Sequence, residues 1–180
     1  MKNIMYICAI FALVLDFENQ MYAQTDWYKT TNEKGGFSFD MPENPKLRDT
    51  VNVSFYNLDI DGVVLQVHFV DSVAFQSNEI SDELLENNDG DELRAQAQLM
   101  EMLTHGKLVS IKDLVQSGNT LRRGIEFGLE YDANNDTNYT FCRLYNWRGS
   151  VLCFTITSDV YRLDKLLATK LDFFDSITFK

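Results

Sequence analysis

Residues 170–180 read KLDFFDSITFK, with two adjacent phenylalanines and a third five residues later. The last residues of most domains are poorly ordered unless they are tied down. Aromatic side chains are the strongest means of tying them down, because each one buries a large apolar area. We therefore predict that Phe173, Phe174 and Phe179 are largely buried and that this segment docks into the core.

Two amphipathic helices are predicted from apolar residues recurring every three or four positions. The helix that leads into the final stretch is predicted to start near Ser158, with an apolar stripe of Val160, Leu163, Leu167, Leu171 and Phe174. An earlier helix has the stripe Leu93, Ala97, Met100 and Leu103. Asp91 is placed as the N-cap of that helix and Gly106 as its C-cap glycine.

Strands are predicted where apolar and other residues alternate. In the first half, the apolar residues predicted to share one face of a strand are Phe37, Phe39 and Met41; then Val51, Val53 and Phe55; then Val63, Leu65, Val67 and Phe69, after a turn at 59–62. Two further hairpins follow. The first joins residues 107–115 to 120–131, and the second joins 138–145 to 151–157 through the residues NWRG at 146–149.

The order of these elements is three strands, a helix, four strands, a helix and a short strand. Hairpins in series build an antiparallel sheet, and each amphipathic helix must bury its stripe against it. We predict an α+β fold, with an antiparallel β-sheet of about six to seven strands sandwiched by two main amphipathic helices. Residues 24–180 are predicted to form this single domain.

The first 23 residues have the pattern of an export signal. Lys2 is followed by an unbroken apolar run from Ile4 to Leu15, and Ala23 offers a small residue for cleavage. A run of twelve apolar residues is too short to span a bilayer. We predict cleavage after Ala23, export to the periplasm or the extracellular space, and no transmembrane segment in the mature chain.

The chain of 180 residues has a net charge of -11 and no basic stripe, which argues against nucleic acid as a partner. Nucleophilic catalysis has little support either. His68 lies within a predicted strand and His105 lies beside Gly106, so structural roles are favoured for both, and no serine elbow or Cys–His signature is present. We predict that the protein is not an enzyme and needs no cofactor.

Three clusters of charged residues have a structural and a functional interpretation. Asp132, Asn134 and Asp136 have the spacing of a calcium loop, but Thr137 and Arg143 replace its glycine and glutamate, so a hairpin turn is favoured. The acidic residues Glu86, Asp89, Asp91 and Glu92 are interpreted as a solvated loop, with weak calcium binding as the alternative. Ion pairs across the strands are favoured over an anion site for Arg122, Arg123 and Arg143 with Glu126 and Glu130.

Three stretches together resemble exported bacterial members of the PsbP/Mog1-like superfamily. They are an aromatic strand closed by Pro-x-x-Pro (Phe37, Phe39, Pro42, Pro45), a hairpin with Arg143 and Tyr145, and the ending FFDSITF. The resemblance implies an antiparallel sheet between helices and no shared enzyme activity. Its members are accessory subunits, GTPase-binding factors, secretion chaperones or envelope lipoproteins. Cys153 stands where relatives often have tyrosine, and no ligand-binding residue carries over.

The leading hypothesis is a non-catalytic exported accessory or protein-binding module of the bacterial cell envelope. Its expected contact surface is the sheet edge together with the hairpin residues Trp147, Arg148 and Tyr145, because a turn exposes its residues. For Trp147 itself, packing over the end of the sheet is the favoured alternative. Other hypotheses are a small secreted hydrolase or glycan-processing enzyme and a weak calcium-dependent binding module.

The two cysteines of the second hairpin are predicted to face each other. If residues 146–149 are the connection, Tyr145 opposes Ser150 and Cys142 opposes Cys153. Opposed residues have Cα atoms about 4.5–5.5 Å apart, within the range that a disulfide needs. Two states stay open: a disulfide formed after export, and two reduced cysteines that pack as small hydrophobic residues.

Overall fold

The computed structural model describes residues 27–71, 89–116, 122–133, 135–147 and 150–180. The predicted signal peptide and most of the acidic loop lie outside these ranges. The strands are β1 (Tyr28–Asn32), β2 (Phe37–Met41), β3 (Lys46–Asp49), β4 (Val53–Ile60), β5 (Val63–Val70), β6 (Lys107–Gln116), β7 (Arg122–Ala133), β8 (Asp136–Trp147), β9 (Ser150–Asp159) and β10 (Thr178–Phe179). The helices are α1 (Asp89–Thr104) and α2 (Leu163–Asp175), with a short 3-10 turn at Val160–Arg162 before α2.

The strands form two antiparallel sheets. Seven of them lie in the order β3-β4-β5-β9-β8-β7-β6, and β1-β2-β10 form a smaller sheet. An α+β fold with an antiparallel sheet of this size is confirmed. The separate three-stranded sheet was not predicted, because its last strand, β10, pairs with β2 from the other end of the domain, and such a distant pairing leaves no local signal in the sequence.

Two tight turns set the register of their hairpins. In the β4–β5 hairpin, Ile60 pairs with Val63, and Asp61 and Gly62 both have positive φ values, of 52° and 81°. Positive φ at both central residues is the requirement of a type I′ turn, so the turn predicted at 59–62 is confirmed. In the β7–β8 hairpin, Ala133 pairs with Asp136 and Asn135 has φ 69°. The hairpin interpretation of the Asp132–Asp136 stretch is therefore confirmed.

The hydrophobic core consists of two clusters on opposite faces of the larger sheet. Alternation along β9 shows this: Leu152, Phe154 and Ile156 belong to one cluster, whereas Cys153 packs against the other. The first cluster, the aromatic core, contains the apolar faces predicted for β2 and β5 together with the buried side of α2. The second cluster, under α1, consists of Leu93, Ala97, Ile125, Phe127, Leu129, Cys142 and Leu144.

The apolar face predicted for β4 is not the face that enters the aromatic core. Val53 and Phe55 are half-buried on the other face and Val51 is exposed before the strand begins, whereas Ser54, Tyr56 and Leu58 point into the aromatic core. A shift of one residue moves every side chain of a strand to the opposite face. Tyr56 decides this one: its ring meets that of Phe39 at 5.2 Å, edge to face, and its hydroxyl accepts a hydrogen bond from Asn32 at 3.0 Å.

The predicted stripe of α2 is also wrong at most positions. The helix begins at Leu163, and its buried residues are Leu166, Phe173 and Phe174, while Val160, Leu167 and Leu171 are exposed. Two apolar stripes interleave on this helix. The one that carries the adjacent phenylalanines faces the sheet, because two aromatic rings bury more area than two leucines.

The C-terminal segment is docked as predicted. Phe173 and Phe174 are buried, and the half-buried Phe179 places its ring 5.1 Å from the rings of both Tyr145 and Trp147. Strand β10 pairs with β2, and the amide of Lys180 donates to the Gly36 carbonyl at 2.8 Å. The last residues therefore complete the smaller sheet.

Helix α1 differs from prediction at both ends. It begins at Asp89, so Asp91 lies inside the helix and is not its N-cap. Leu93 and Ala97 are buried as predicted, but Leu103 is exposed. At the end, His105 takes the left-handed conformation (φ 51°), and the Gly106 amide bonds back to the Glu101 carbonyl at 3.1 Å. Gly106 is required for another reason, because a Cβ there would lie 2.7 Å from the Glu130 carbonyl oxygen.

Candidate functional site

The hairpin side chains expected to contact a partner are buried where the structure describes them. Trp147 is 8% exposed, and its indole N–H donates to the Gly35 carbonyl at 2.7 Å. Tyr145 is also buried, and burial raises its pKa. Arg148 lies outside the described residues. The expected exposure of Trp147 is wrong, because Phe179 of β10 packs against the indole; packing over the sheet end agrees with its burial.

The two edges of the larger sheet differ in length and protection. Strand β3 has four residues, all exposed, of which Lys46, Arg48 and Asp49 are charged, and Pro45 precedes it. A short, charged edge next to proline is a common protection against strand addition. Strand β6 has ten residues and is the other terminal strand of the sheet. It is interrupted by a bulge between Leu108 and Ser110.

In residues 111–114, strand β6 carries one apolar and one charged residue on each face: Ile111 and Asp113 on one, Lys112 and Leu114 on the other. Ile111 is 38% exposed and pairs with Phe127, on the face that carries α1. The next residue, Lys112, pairs with Glu126 on the opposite face, and its side chain is 60% exposed. This outer strand, β6, therefore offers a backbone edge with exposed Ile111 and Asp113 on the α1 face, where Asp113 is already paired with Arg94 at 2.7 Å, and with the cation Lys112 on the other face. We call it the β6 edge.

A charged cluster lies beside the β6 edge on the face that carries α2. Its centre is the buried carboxylate of Glu126, which is 2.7 Å from Arg143 Nε, 2.8 Å from Lys170 Nζ and 3.2 Å from Lys112 Nζ. Four elements meet here, because these residues come from β7, β8, α2 and β6. We call this group the Glu126 cluster. The predicted ion pair between Arg143 and Glu126 is confirmed, whereas the side chains of Arg122 and Arg123 lie outside the description.

Each cation of the cluster that is partly buried has a second contact. Arg143 donates from Nη1 to the carbonyl of Phe174 at 2.7 Å, near the end of α2, where helix carbonyls have no partner within the helix. Its guanidinium lies 4.7 Å from the centre of the Phe174 ring. Lys170 lies 4.2 Å from the Phe141 ring. These contacts attach the end of α2 to the sheet.

The Glu126 carboxyl is held in its charged form. Burial on its own would raise the pKa, but the hydrogen bonds from Lys170 and Arg143 and the charges of both outweigh burial and keep the pKa below its ordinary value of 4.5. With the exposed Asp175, 3.6 Å from Arg143, the cluster contains three cations and two carboxylates. The result is a small positive site in a chain whose net charge is -11.

Lys112, Lys170 and Ile111 were missed in the sequence as functional candidates. Two signals were present. Lys170 falls in the register of the buried stripe of α2, four residues after Leu166 and three before Phe173, where a lysine needs an anionic partner. The predicted hairpin of β6 and β7 also brings a lysine strand beside the glutamate strand, but only the true register places Lys112 opposite Glu126.

The two histidines lie far apart in the chain and have different environments. His105 terminates α1 and is exposed, in agreement with a structural role. His68 is half-buried in β5, with its ring 4.5 Å from that of Phe55. Burial lowers the pKa of His68, so its imidazole is neutral at pH 7. Its cross-strand partner in β9 is Cys153.

The predicted register of the cysteine hairpin is wrong by two residues. Trp147 pairs with Ser150, so the connection is residues 148–149, and a two-residue connection is the commonest hairpin form. Cys142 therefore pairs with Thr155, and Cys153 with Leu144. The cysteines are diagonal neighbours, and their Sγ atoms lie 3.3 Å apart as free thiols. The disulfide between them stays a prediction.

The described ranges contain no cluster of metal-ligating side chains and no helix that could cross a membrane. Within them, no group of three or more His, Cys, Asp or Glu side chains is placed to hold a metal ion. Asp132 accepts a hydrogen bond from Thr137 Oγ1 at 3.0 Å across the β7–β8 turn. Glu86 and the side chains of Asp89, Asp91 and Glu92 lie outside the description, so calcium binding by that loop stays a prediction. No helix of the described part is long and apolar enough to cross a membrane.

Comparison with known proteins identifies the fold but not a family. No family model and no curated protein sequence matches the chain. A solved structure, that of cyanobacterial PsbP (CyanoP) from Synechocystis sp. PCC 6803, is similar with a TM-score of 0.61 at 12% identity, covering 88% of this chain and 95% of that one. PA94 from Pseudomonas aeruginosa, described as a protein of unknown function and putative regulator, matches with a TM-score of 0.40 at 10% identity, over 77% of this chain and 87% of that one. The second similarity is too weak to support an argument, whereas the first shows that this chain has a PsbP-like fold.

Proposed function

We propose that the chain is a non-catalytic, exported accessory module of the bacterial cell envelope that binds a partner protein through the β6 edge. The observation that carries this proposal is the difference between the two sheet edges. The four-residue β3 is charged and follows a proline, whereas the ten-residue β6 is flanked by exposed Ile111 and Lys112. A long exposed edge is a template for an added strand.

The side chains of β6 define the chemistry of the partner. A strand added to β6 directs its own side chains alternately to the two faces of the sheet. On the α1 face they meet Ile111, which favours an apolar residue; on the α2 face they meet Lys112, which favours an acidic one. The partner segment is therefore extended, with an apolar residue that meets Ile111 on the α1 face and an acidic residue that meets Lys112 on the α2 face.

Two further observations support the remaining parts of the proposal. The signal-like composition of residues 1–23 supports export. A non-catalytic role is supported by the Glu126 cluster, in which the buried Glu126 carboxylate is paired with three cations. Such a carboxylate is fixed in its charged form and joins four elements, which is the behaviour of a structural group.

Site-specific photo-crosslinking tests the binding surface. A photoreactive phenylalanine analogue replaces Ile111 on β6 in one sample and Leu47 on β3 in the matched control; both residues are exposed apolar side chains on edge strands. After irradiation in cells of the source bacterium, we expect a discrete cross-linked partner from position 111 and none from position 47. Equal products from both positions, or none from position 111, would contradict recognition by the β6 edge.

N-terminal sequencing tests export. The mature protein is expected in the periplasmic or extracellular fraction with Gln24 as its first residue. Protein that retains Met1 and is recovered from the cytoplasm would show that residues 1–23 are not an export signal.

A further inference from the structure

We propose that Cys153 and Cys142 form a thiol–disulfide exchange site, in which Cys153 attacks an accessible disulfide, Cys142 resolves the mixed disulfide, and His68 assists Cys153. The substrate class is a disulfide presented to the surface of the protein. This site lies under and beside α1, on the face opposite the Glu126 cluster, and is independent of the proposed β6 edge.

The geometry of the two thiols provides the first argument. Their Sγ atoms are 3.3 Å apart, within hydrogen-bond distance for two thiols, either of which can be the donor. Cys142 is fully buried under α1, whereas Cys153 is only half-buried, so part of that residue is exposed to solvent. An incoming disulfide therefore meets Cys153 first, and any mixed disulfide formed there has a second thiol already in contact with it.

His68 provides the second argument. It is the cross-strand partner of Cys153 in the β5–β9 pair, and directly opposed residues of an antiparallel pair have Cβ atoms about 4.5–5.5 Å apart. The ring of Phe55 packs on the histidine from the neighbouring strand β4, with ring centres 4.5 Å apart. A neutral imidazole held in this position can accept the proton that Cys153 must lose, because the thiolate is the nucleophile in exchange.

The reaction balances without a metal or another cofactor. The Cys153 thiolate attacks one sulfur of the substrate disulfide, forms a mixed disulfide and releases the other half as a thiolate, which takes up the proton. The Cys142 sulfur then attacks the sulfur of Cys153 while its proton passes to the departing half, which leaves as a thiol; burial raises the pKa of the Cys142 thiol, so the proton moves together with the attack. The protein is oxidised by two electrons, and the substrate is reduced to two thiols.

The diagonal arrangement favours a reversible bond over a permanent one. Diagonal neighbours in an antiparallel pair typically have Cα atoms about 7–8 Å apart, which exceeds the range of about 4.4–6.8 Å of most disulfides. Closing the bond therefore requires the two strands to shift, and strained disulfides are the readily reduced ones. A pair of this kind suits exchange.

Oxidised glutathione is the probe for the test, used on reduced full chain in a Cys8→Ser background so that the pair alone reacts. By intact mass, we expect the parent protein to lose two hydrogen atoms and to keep no glutathione. The Cys142→Ser variant should retain one glutathionyl group on Cys153, and the folded Cys153→Ser variant should stay unmodified. Cys142→Ala replaces Cys142→Ser if serine prevents folding at this buried position. An unmodified parent, a stable glutathionyl adduct on it, or an unmodified Cys142 variant that is folded would overturn the proposal.

The role of His68 has its own readout. In His68→Ala, the formation of the Cys153 adduct in the Cys142→Ser background should slow on the order of tenfold near neutral pH. Added imidazole should restore part of the rate, which a purely structural effect would not allow. Gln66→Ala is the matched control, since Gln66 lies two residues earlier on the same face of β5. An unchanged rate in His68→Ala, or no rescue by imidazole, would remove His68 from the site.

Discussion

At the scale of single residues, Glu126 shows how a charged side chain is accommodated inside this protein. It is buried on a strand face, and its stability depends on Arg143, Lys170 and Lys112 remaining in contact with it. Removing one partner of a buried ion pair leaves a desolvated charge without its counter-ion, and this typically lowers the free energy of unfolding by about 3–5 kcal/mol. The stability of the fold is therefore expected to be far more sensitive to this carboxylate than to exposed ones.

The substitution Glu126→Gln should lower the free energy of unfolding by about 3 kcal/mol. This value is at the lower end of the range for buried ion pairs, because Lys170 and Arg143 are partly exposed to solvent. The matched control is Asp175→Asn, which removes a 74% exposed carboxylate 3.6 Å from the same arginine. We expect the control to change stability by less than about 0.5 kcal/mol. Urea unfolding measures both, and equal effects of the two substitutions would refute the structural role of Glu126.

The same carboxylate predicts a pH dependence. Its pKa is lower in the folded protein than its ordinary value of 4.5, so the unfolded state binds the proton more readily. Its contribution is therefore fully present above about pH 5 and is lost as the pH falls through the lower folded pKa. The difference in stability between the wild type and Glu126→Gln should be constant from about pH 5.5 to 7 and shrink below about pH 4. A difference that stays constant down to acid unfolding would contradict this assignment.

At the scale of elements, the two faces of α2 allow a direct test of which stripe is buried. Leu166 is 0% exposed and Leu171 is 63% exposed, although both are leucines of the same helix. Leu166→Ala should cost about 2–5 kcal/mol, as buried leucines do, whereas Leu171→Ala should cost less than about 0.5 kcal/mol. Thermal or urea unfolding would decide between the two stripes. A larger loss for Leu171→Ala would restore the stripe predicted from the sequence.

Elements were predictable where a local signal determines them, and their orientation was not. The Asp61–Gly62 turn fixes one hairpin from two residues, and the faces of β2 and β5 follow from strong alternation. The face of β4 depended instead on Tyr56 meeting Phe39 across the two sheets. The β8–β9 register depended on which of two connection lengths the chain adopts. The first depends on a contact between residues that are distant in the sequence. The second depends on turn geometry, which the four residues 146–149 do not determine.

At the scale of the whole molecule, the C-terminal segment joins the two sheets and the charged cluster. It carries Phe173 and Phe174 in the aromatic core, the carbonyl that Arg143 binds, and the strand that completes the smaller sheet. Predicting this docking was possible because three phenylalanines gather in a few residues. The β6 edge was foreseen only in general terms, since the sequence does not show which strand ends a sheet.

Deletion of residues 173–180 should abolish cooperative unfolding, because it removes two fully buried phenylalanines, and Phe→Ala in a core alone costs about 3–5 kcal/mol. The matched control removes Lys180 alone, which loses the backbone hydrogen bond to Gly36 and an exposed ion pair with Glu33 at 3.0 Å, and should cost about 1 kcal/mol. Near-UV circular dichroism during heating follows both. A truncated protein that melts like the full chain would show that the segment is not part of the core.

Amide hydrogen exchange tests recognition by strand addition most directly. It is measured on the chain alone and on its complex with the partner that cross-linking identifies. A partner strand on β6 would bond its outward amides, so exchange over residues 107–116 should slow by at least an order of magnitude on binding. Exchange over residues 46–49, on the opposite edge, should not change. Protection of 46–49, or unchanged exchange over 107–116 in a saturated complex, would contradict binding at the β6 edge.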